Sequence, residues 1–210
     1  MKHEIPTQHD GRKMDASESI SFAHLADAKQ CYDVVRSRLL CISHWYQIAE
    51  LPMATFTHLD NVGQATLQTP NIGDYIQIDI PGPGLPSTDG FDYVQIERID
   101  ESNDPNLQAL TITLRPCVNP LSAHDDETKH FFKNIATSTL QIQRINNSIN
   151  ANYFGRNEVI NLEVDALSDK IRNFIIGAGA KLGASFPQWK SLLKGLLNTN
   201  ISTSDQQCPS

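Results

Sequence analysis

Between Leu121 and Phe132 the chain reads LSAHDDETKHFF, which places two histidines, two aspartates and a glutamate within the stretch from His124 to His130. Imidazoles and carboxylates at this density are the side chains that hold zinc or exchange protons. The spacing does not suit a helical metal motif. Such a motif sets its histidines four apart so that both face one way, whereas His124 and His130 are six apart and diverge around a helix. Asp126 with His130, or Glu127 with His130, would share a face, but a third ligand would have to come from His44 or His58 by folding. Helix capping accounts for the same residues without a metal. Ser122 caps a short helix, Asp125, Asp126 and Glu127 fill its first turns, where the helix dipole favours each negative charge by roughly 0.3–1 kcal/mol, and Phe131 and Phe132 bury. The expectation is a structural segment with no metal and no cofactor; His124, Asp126 and His130 are the acid/base candidates if it takes part in catalysis.

Three further places invite a chemical reading. Arg115 in RPCVNP, and Arg156 with Glu158 in GRNE, fall at the ends of expected strands, where side chains of several elements converge. An arginine there could clamp a carboxylate or phosphate, and Glu158 joins the acid/base candidates. The plainer alternative is an exposed ion pair of little energetic consequence. The string IGAGAKLGAS at 176–185 lacks both the strand that precedes a dinucleotide loop and the Gly-Lys-Ser/Thr of a Walker loop, so close helix packing is the better account. Cys41 and His44 lie three apart on one helical face, but no third group that would orient them can be read, and neither Ser43 nor Ser138 has a GxSxG context.

These residues must be positioned by an α+β architecture. Ala28, Cys31, Val35, Leu39, Ile42 and Tyr46 recur at three and four, predicting one or two helices before Pro52. Alternating segments follow at Ala54 to Leu59, Asp74 to Ile80, Tyr93 to Ile99, Leu110 to Arg115, Thr139 to Ile145 and Ser148 to Phe154. In these Ile76, Ile78 and Ile80 share one face, Leu110, Ile112 and Leu114 another, and each strand is expected to have one dry side. Asn146 and Asn147 separate the last two strands, and asparagine tolerates positive φ, which predicts a tight hairpin. Helical periodicity returns through Ile171, Phe174 and Ile175 and again through Trp189, Leu192, Leu193 and Leu196 after Pro187. The expectation is a six-stranded antiparallel sheet or partly closed barrel, with an amino-terminal helical segment and carboxy-terminal helices packed on one face. Residues 1–19 and 198–210 are polar and expected to be disordered, leaving a single domain at 20–197.

If Ile20 to Phe22 adds a strand, this order of elements resembles the helix-grip fold of START-like proteins, which implies a sheet wrapped on a long carboxy-terminal helix around a cavity. The strings IDIPGPG, RPCVNP, HFF and GRNE resemble an uncharacterised group of bacterial proteins of unknown function, which implies no catalytic residue.

With 210 residues, 40% apolar, the chain can bury a sizeable core, and its net charge of -7 argues against sequence-independent binding to nucleic acid. Four scattered cysteines without a CxxC pair suggest reduced thiols, and the lack of a long apolar run suggests a cytoplasmic protein. From Asp165 to Leu197 five basic residues face two acidic ones, so this segment opposes the charge of the remainder. Together these features point to a non-catalytic binding module for a small apolar ligand or a protein partner, with Arg115, Arg156 and Trp189 as ligand-binding candidates. The alternatives are an enzyme with acid/base groups near 121–132, or a peripheral membrane protein using its carboxy-terminal amphipathic helix. Oligomeric state cannot be read.

Overall fold

A computed structural model of the chain describes residues 5–49, 54–79, 91–121, 135–159 and 189–200. The expected helix through Ile171, Phe174 and Ile175, the glycine-rich string at 176–185, the segment from His124 to His130 and the tail from 201 onward lie outside them.

The chain opens with a strand, β1 (Arg12–Ser21), followed by helix α1 (Leu25–Leu40), a 3-10 turn (Ile42–His44) and the short helix α2 (Trp45–Ile48). Six strands follow: β2 (Thr55–Leu59), β3 (Tyr75–Asp79), β4 (Phe91–Asn103), β5 (Leu107–Pro116), β6 (Thr137–Ile145) and β7 (Ser148–Glu158). Residues 189–197 are helical and are called α3. All neighbouring strands are antiparallel, in the order β1-β7-β6-β5-β4-β3-β2. The fold is α+β with the helix-grip order of elements.

The sheet has seven strands rather than six, and it is open rather than a partly closed barrel, because β1 and β2 stand at opposite edges. The added strand lies in the region expected to be disordered. Its composition hides it. An edge strand facing solvent on one side needs few apolar residues, and here Met14 and Ala16 alone are buried among Arg, Lys, Asp, Glu and Ser. Backbone pairing with β7 from Asp15↔Phe154 to Ser21↔Ser148 makes up the rest of the fit.

Strand register assigns one face of the sheet to the core. Met14, Ala16, Ile76, Ile96, Leu110, Ile112, Leu114, Leu140, Ile142, Ile149, Ala151 and Tyr153 lie on it, against Tyr32, Val35 and Leu39 of α1, Trp45 of α2 and Leu192, Leu193 and Leu196 of α3. The threonine face of β5 and β6 is buried as well, against the expectation of one dry side. Thr113 and Thr139 meet at 3.3 Å and Gln141 donates to Thr111 at 3.0 Å, so these polar groups satisfy one another across strands and tolerate burial.

Two buried arginines fasten the elements. Arg144, fully buried on β6, donates to Gln108 Oε1 (2.6 Å), Asn146 O (2.7 Å) and Pro105 O (3.0 Å), tying the β4–β5 and β6–β7 turns together. Arg38 of α1 donates to Leu196 O (2.8 Å) and Asn198 O (2.7 Å), capping carbonyls that the end of α3 leaves without helical partners. The β6–β7 hairpin turns at Asn146 and Asn147, with Asn146 at φ 53° as its residue type suggests.

Candidate functional site

At the end of the sheet where β7 finishes and β6 begins, an irregularity changes which way the chain's side chains point. Met14 pairs with Gly155 and Arg12 with Glu158, so two steps along β1 oppose three along β7. The extra residue is accommodated at Asn157, whose φ of 54° lies in the left-handed region that asparagine enters at modest cost. In a regular strand Glu158 would fall on the face opposite Tyr153 and Gly155. The bulge returns it to theirs.

Glu158 then folds back over Gly155, where a Cβ would stand 2.3 Å from its Oε1, so a side chain at this position would displace the carboxyl from where it lies. The carboxyl faces the Tyr153 hydroxyl, which in turn meets Ser138 Oγ at 3.0 Å. Burial raises the Glu158 carboxyl above the usual carboxylate range, while Arg12, the Tyr153 hydroxyl and Arg156 pull it back. Burial also raises the Tyr153 phenol, and the nearby Glu158 charge adds to this. Trp189 of α3 stacks on the Tyr153 ring with centroids 4.6 Å apart, and Phe56 links Trp189 (6.2 Å) to Trp45 (5.3 Å). The result is a carboxyl, a phenol and a hydroxyl beside an aromatic row that is otherwise core. Asp92 shares this face through its register partner Ile78, and it shares this end of the sheet; burial raises its carboxyl too.

Of the residues singled out in the sequence, the structure thus brings Glu158 and Trp189 together around Tyr153. It separates the arginines from them. Arg156 is buried on the opposite side of β7, donating to Asp15 Oδ1 (2.5 Å) and Gly155 O (2.8 Å) and lying 5.3 Å from the centre of the Phe154 ring. It joins β1 to β7. Arg115 makes a two-pronged contact with Glu97, at 3.1 and 3.0 Å, with both side chains more than a third exposed. His124, Asp126 and His130 lie outside the described residues. Sequence reasoning missed Tyr153, Arg12 and Asn157, and set Ser138 aside for want of a GxSxG context. The signal was the Gly-x-Asn of GRNE at a strand end, the composition of a bulge.

A second polar cluster lies near the other end of β2. His58 Nε2 meets Asp74 Oδ2 at 3.0 Å with both side chains buried, the same oxygen accepts from Asn71 N at 2.8 Å, and the His58 backbone donates to Ser43 Oγ at 3.2 Å. These groups adjoin a cleft of about 10 Å³ lined by Ser43, His44, His58, Thr66 and Gln68, room for about one water. Among the described residues no three His, Cys, Asp or Glu side chains are grouped to hold a metal ion. His44 Nδ1 lies 3.0 Å from Cys41 Sγ. Cys41 is disulfide-bonded, against the expectation of reduced thiols throughout, because pairing follows spatial approach and not sequence spacing. Cys31 and Cys117 are free, and burial pushes the Cys117 thiol up to about 12.

No family model matches the chain, and no curated protein is similar to it. Among solved structures it is similar to a hypothetical protein of Helicobacter pylori, at 11% identity over 94% of this chain and 92% of that one, with a TM-score of 0.49. It is also similar to major latex-like protein 151 of Panax ginseng, at 12% identity over 84% and 99% of the two chains (TM-score 0.34). A third is protein Ms6760 of Mycobacterium smegmatis, at 16% identity over 86% and 90% (TM-score 0.32). Likeness at this level transfers neither a ligand nor an activity.

Proposed function

We propose that residues 20–197, with β1 completed from residue 12, form a binding module that holds a small, mainly apolar ligand between the inner face of the sheet and the carboxy-terminal helical region. Glu158, Tyr153 and Ser138 engage the ligand's polar end, and Trp189 covers its apolar part. The observation that carries this reading is the inward turn of Glu158. A carboxyl is costly to bring beside an apolar core, and a bulge and a glycine are used to put it there. Arg115 and Arg156, engaged with Glu97 and Asp15, have no part in it. A protein partner, rather than a small molecule, is the competing occupant. A cytoplasmic address belongs to the same proposal although the Cys41 disulfide speaks against it; Cys41 found reduced in protein isolated under thiol-blocking conditions is the expected result, and Cys41 found oxidised would overturn that address.

The test uses N-phenyl-1-naphthylamine, a neutral aromatic amine whose N–H a carboxylate can accept. The full chain is expected to bind it saturably, with Glu158→Gln weakening binding about tenfold at alkaline pH, as loss of a bond to a charged group implies. Absence of saturable binding, or binding indifferent to Glu158, would overturn the reading.

One observation favours an enzyme as the second reading: Glu158 is a partly buried carboxyl raised toward the range in which general acids operate. The peripheral-membrane reading is less well supported, because the leucines of α3 are buried in the core, and no helix among the described residues is long and apolar enough to cross a membrane.

A further inference from the structure

The bulge that turns Glu158 inward is held from outside the sheet. Asn157 Oδ1 accepts from the backbone N–H groups of His9 (2.6 Å) and Asp10 (3.1 Å), and its Nδ2 donates to Thr7 O at 3.0 Å. Its own backbone N–H donates to Gln8 Oε1 at 3.0 Å. One side chain therefore receives and gives three bonds to a segment 147–150 residues away in sequence, and the fourth bond ties that segment back to the bulge. Asn157 is buried although it sits at the end of β7, and among the described residues its side-chain amide bonds to this segment. An edge strand needs none of this to pair: β1 and β7 are already in register from Met14 to Ser21. What the bracket fixes is the one extra residue that decides which face Glu158 takes.

We propose that Asn157 is a positioning residue for the ligand site, and that Thr7–Asp10 acts as a bracket which, by holding the bulge closed, keeps the Glu158 carboxyl on the inner face beside Tyr153. The amino-terminal segment is then a functional part of the site although it touches no ligand. This rests on the reading of Glu158 as a ligand-binding residue, but it makes a separate claim about what orients that side chain. Loosening the bracket lets β7 slip into regular pairing, which carries Glu158 to the opposite face and leaves the Tyr153 hydroxyl with Ser138 alone.

The experiment compares the full chain with Asn157→Gly, which keeps access to the left-handed backbone and removes all three side-chain bonds, and with Asn157→Asp, which keeps the acceptor for His9 and Asp10. Two quantities are read: affinity for N-phenyl-1-naphthylamine, and the titration of the Glu158 carboxyl by carbon NMR, which a merely structural loosening elsewhere would not move. Asn157→Gly is expected to weaken the dye about as much as Glu158→Gln does and to return the carboxyl to the ordinary range, with Asn157→Asp restoring most of both. If Glu158→Gln weakens the dye while Asn157→Gly changes neither quantity, the bracket is overturned and the site reading stands. If Glu158→Gln leaves the dye unaffected, the site reading falls, and the carboxyl titration alone decides the bracket. Should Asn157→Gly fail to fold, Gln8→Ala, which removes the acceptor for the Asn157 backbone together with the Nε2 bonds to Asp10 O and Gly11 O that shape the bracket, is read in the same two ways.

Discussion

Glu158 holds its proton to higher pH in the folded chain than in the unfolded one, and Asp92 does the same, in each case because burial disfavours the charged form. The sign of the resulting pH dependence follows from linkage. Below the ordinary carboxylate range both states are protonated and the groups contribute no slope; as pH rises from there, the unfolded chain loses these protons first, so folding stability falls until the folded-state values are passed. Thermal melts of the full chain from pH ~4 upward should show this decline, and Glu158→Gln with Asp92→Asn should flatten it and raise the melting temperature above the ordinary carboxylate range. A slope unchanged in the double variant would mean that other groups carry it. Arg156 gives a contrasting expectation. Its guanidinium is buried against Asp15, so Arg156→Ala should destabilise the β1–β7 edge while leaving dye binding intact.

At the scale of elements, the position of α3 depends on a close approach that only glycine permits. A Cβ at Gly195 would stand 1.9 Å from the Ile48 carbonyl oxygen at the end of α2, and 2.6 Å from its carbon. Two effects oppose each other in Gly195→Ala. Alanine is favoured within a helix by about 1 kcal/mol, but relieving a clash with backbone costs typically about 1–3 kcal/mol and more where neither element can move. The clash is expected to win, with a lower melting temperature and a red-shifted Trp189 emission; a stabilised variant would show that α3 does not sit on α2 in this way. Arg38→Met removes the donors to Leu196 O and Asn198 O at nearly constant volume, and should cost roughly 1.5–3 kcal/mol for each charge-assisted bond lost. Chemical denaturation measures that loss.

For the whole molecule, the decisive question is whether the sheet can stand without its carboxy-terminal cover. Leu192, Leu193, Leu196 and Leu197 are all buried, and each forfeits roughly 1.5–3 kcal/mol when returned to water. Four such losses are comparable with the ~5–15 kcal/mol that stabilises a whole domain. A chain ending at Glu163 is therefore expected to be insoluble or to lack a cooperative melt. If the truncated chain folds and the intact one binds anionic liposomes, α3 is a membrane anchor and the ligand site built beneath it is lost.

The alternation of Ile76 with Ile78 and of Leu110, Ile112 and Leu114, the three-and-four spacing around Val35 and Leu39, and the Asn146–Asn147 turn were legible because each is a local pattern with one physical solution. A residue's neighbours along the chain settle which face it shows. By that means the α+β class, the six later strands, the hairpin and the apolar stripe of α3 were readable from residue order. Local pattern could not settle β1, whose fit lies in backbone pairing with a strand more than a hundred residues away. Nor could it reveal that the Ile96/Arg98 and Arg12/Met14 irregularities shift the pleat. Arg115, Arg156 and Glu158 were picked out by their place at strand ends and Trp189 by its place on an apolar helix, with Glu158 read as an acid/base candidate and the other three as ligand-binding candidates. That Glu158 and Trp189 meet at Tyr153 while the arginines do not emerges from the fold, because facing is a cumulative property of a strand and the one inserted residue, accommodated at Asn157, reverses it for Glu158.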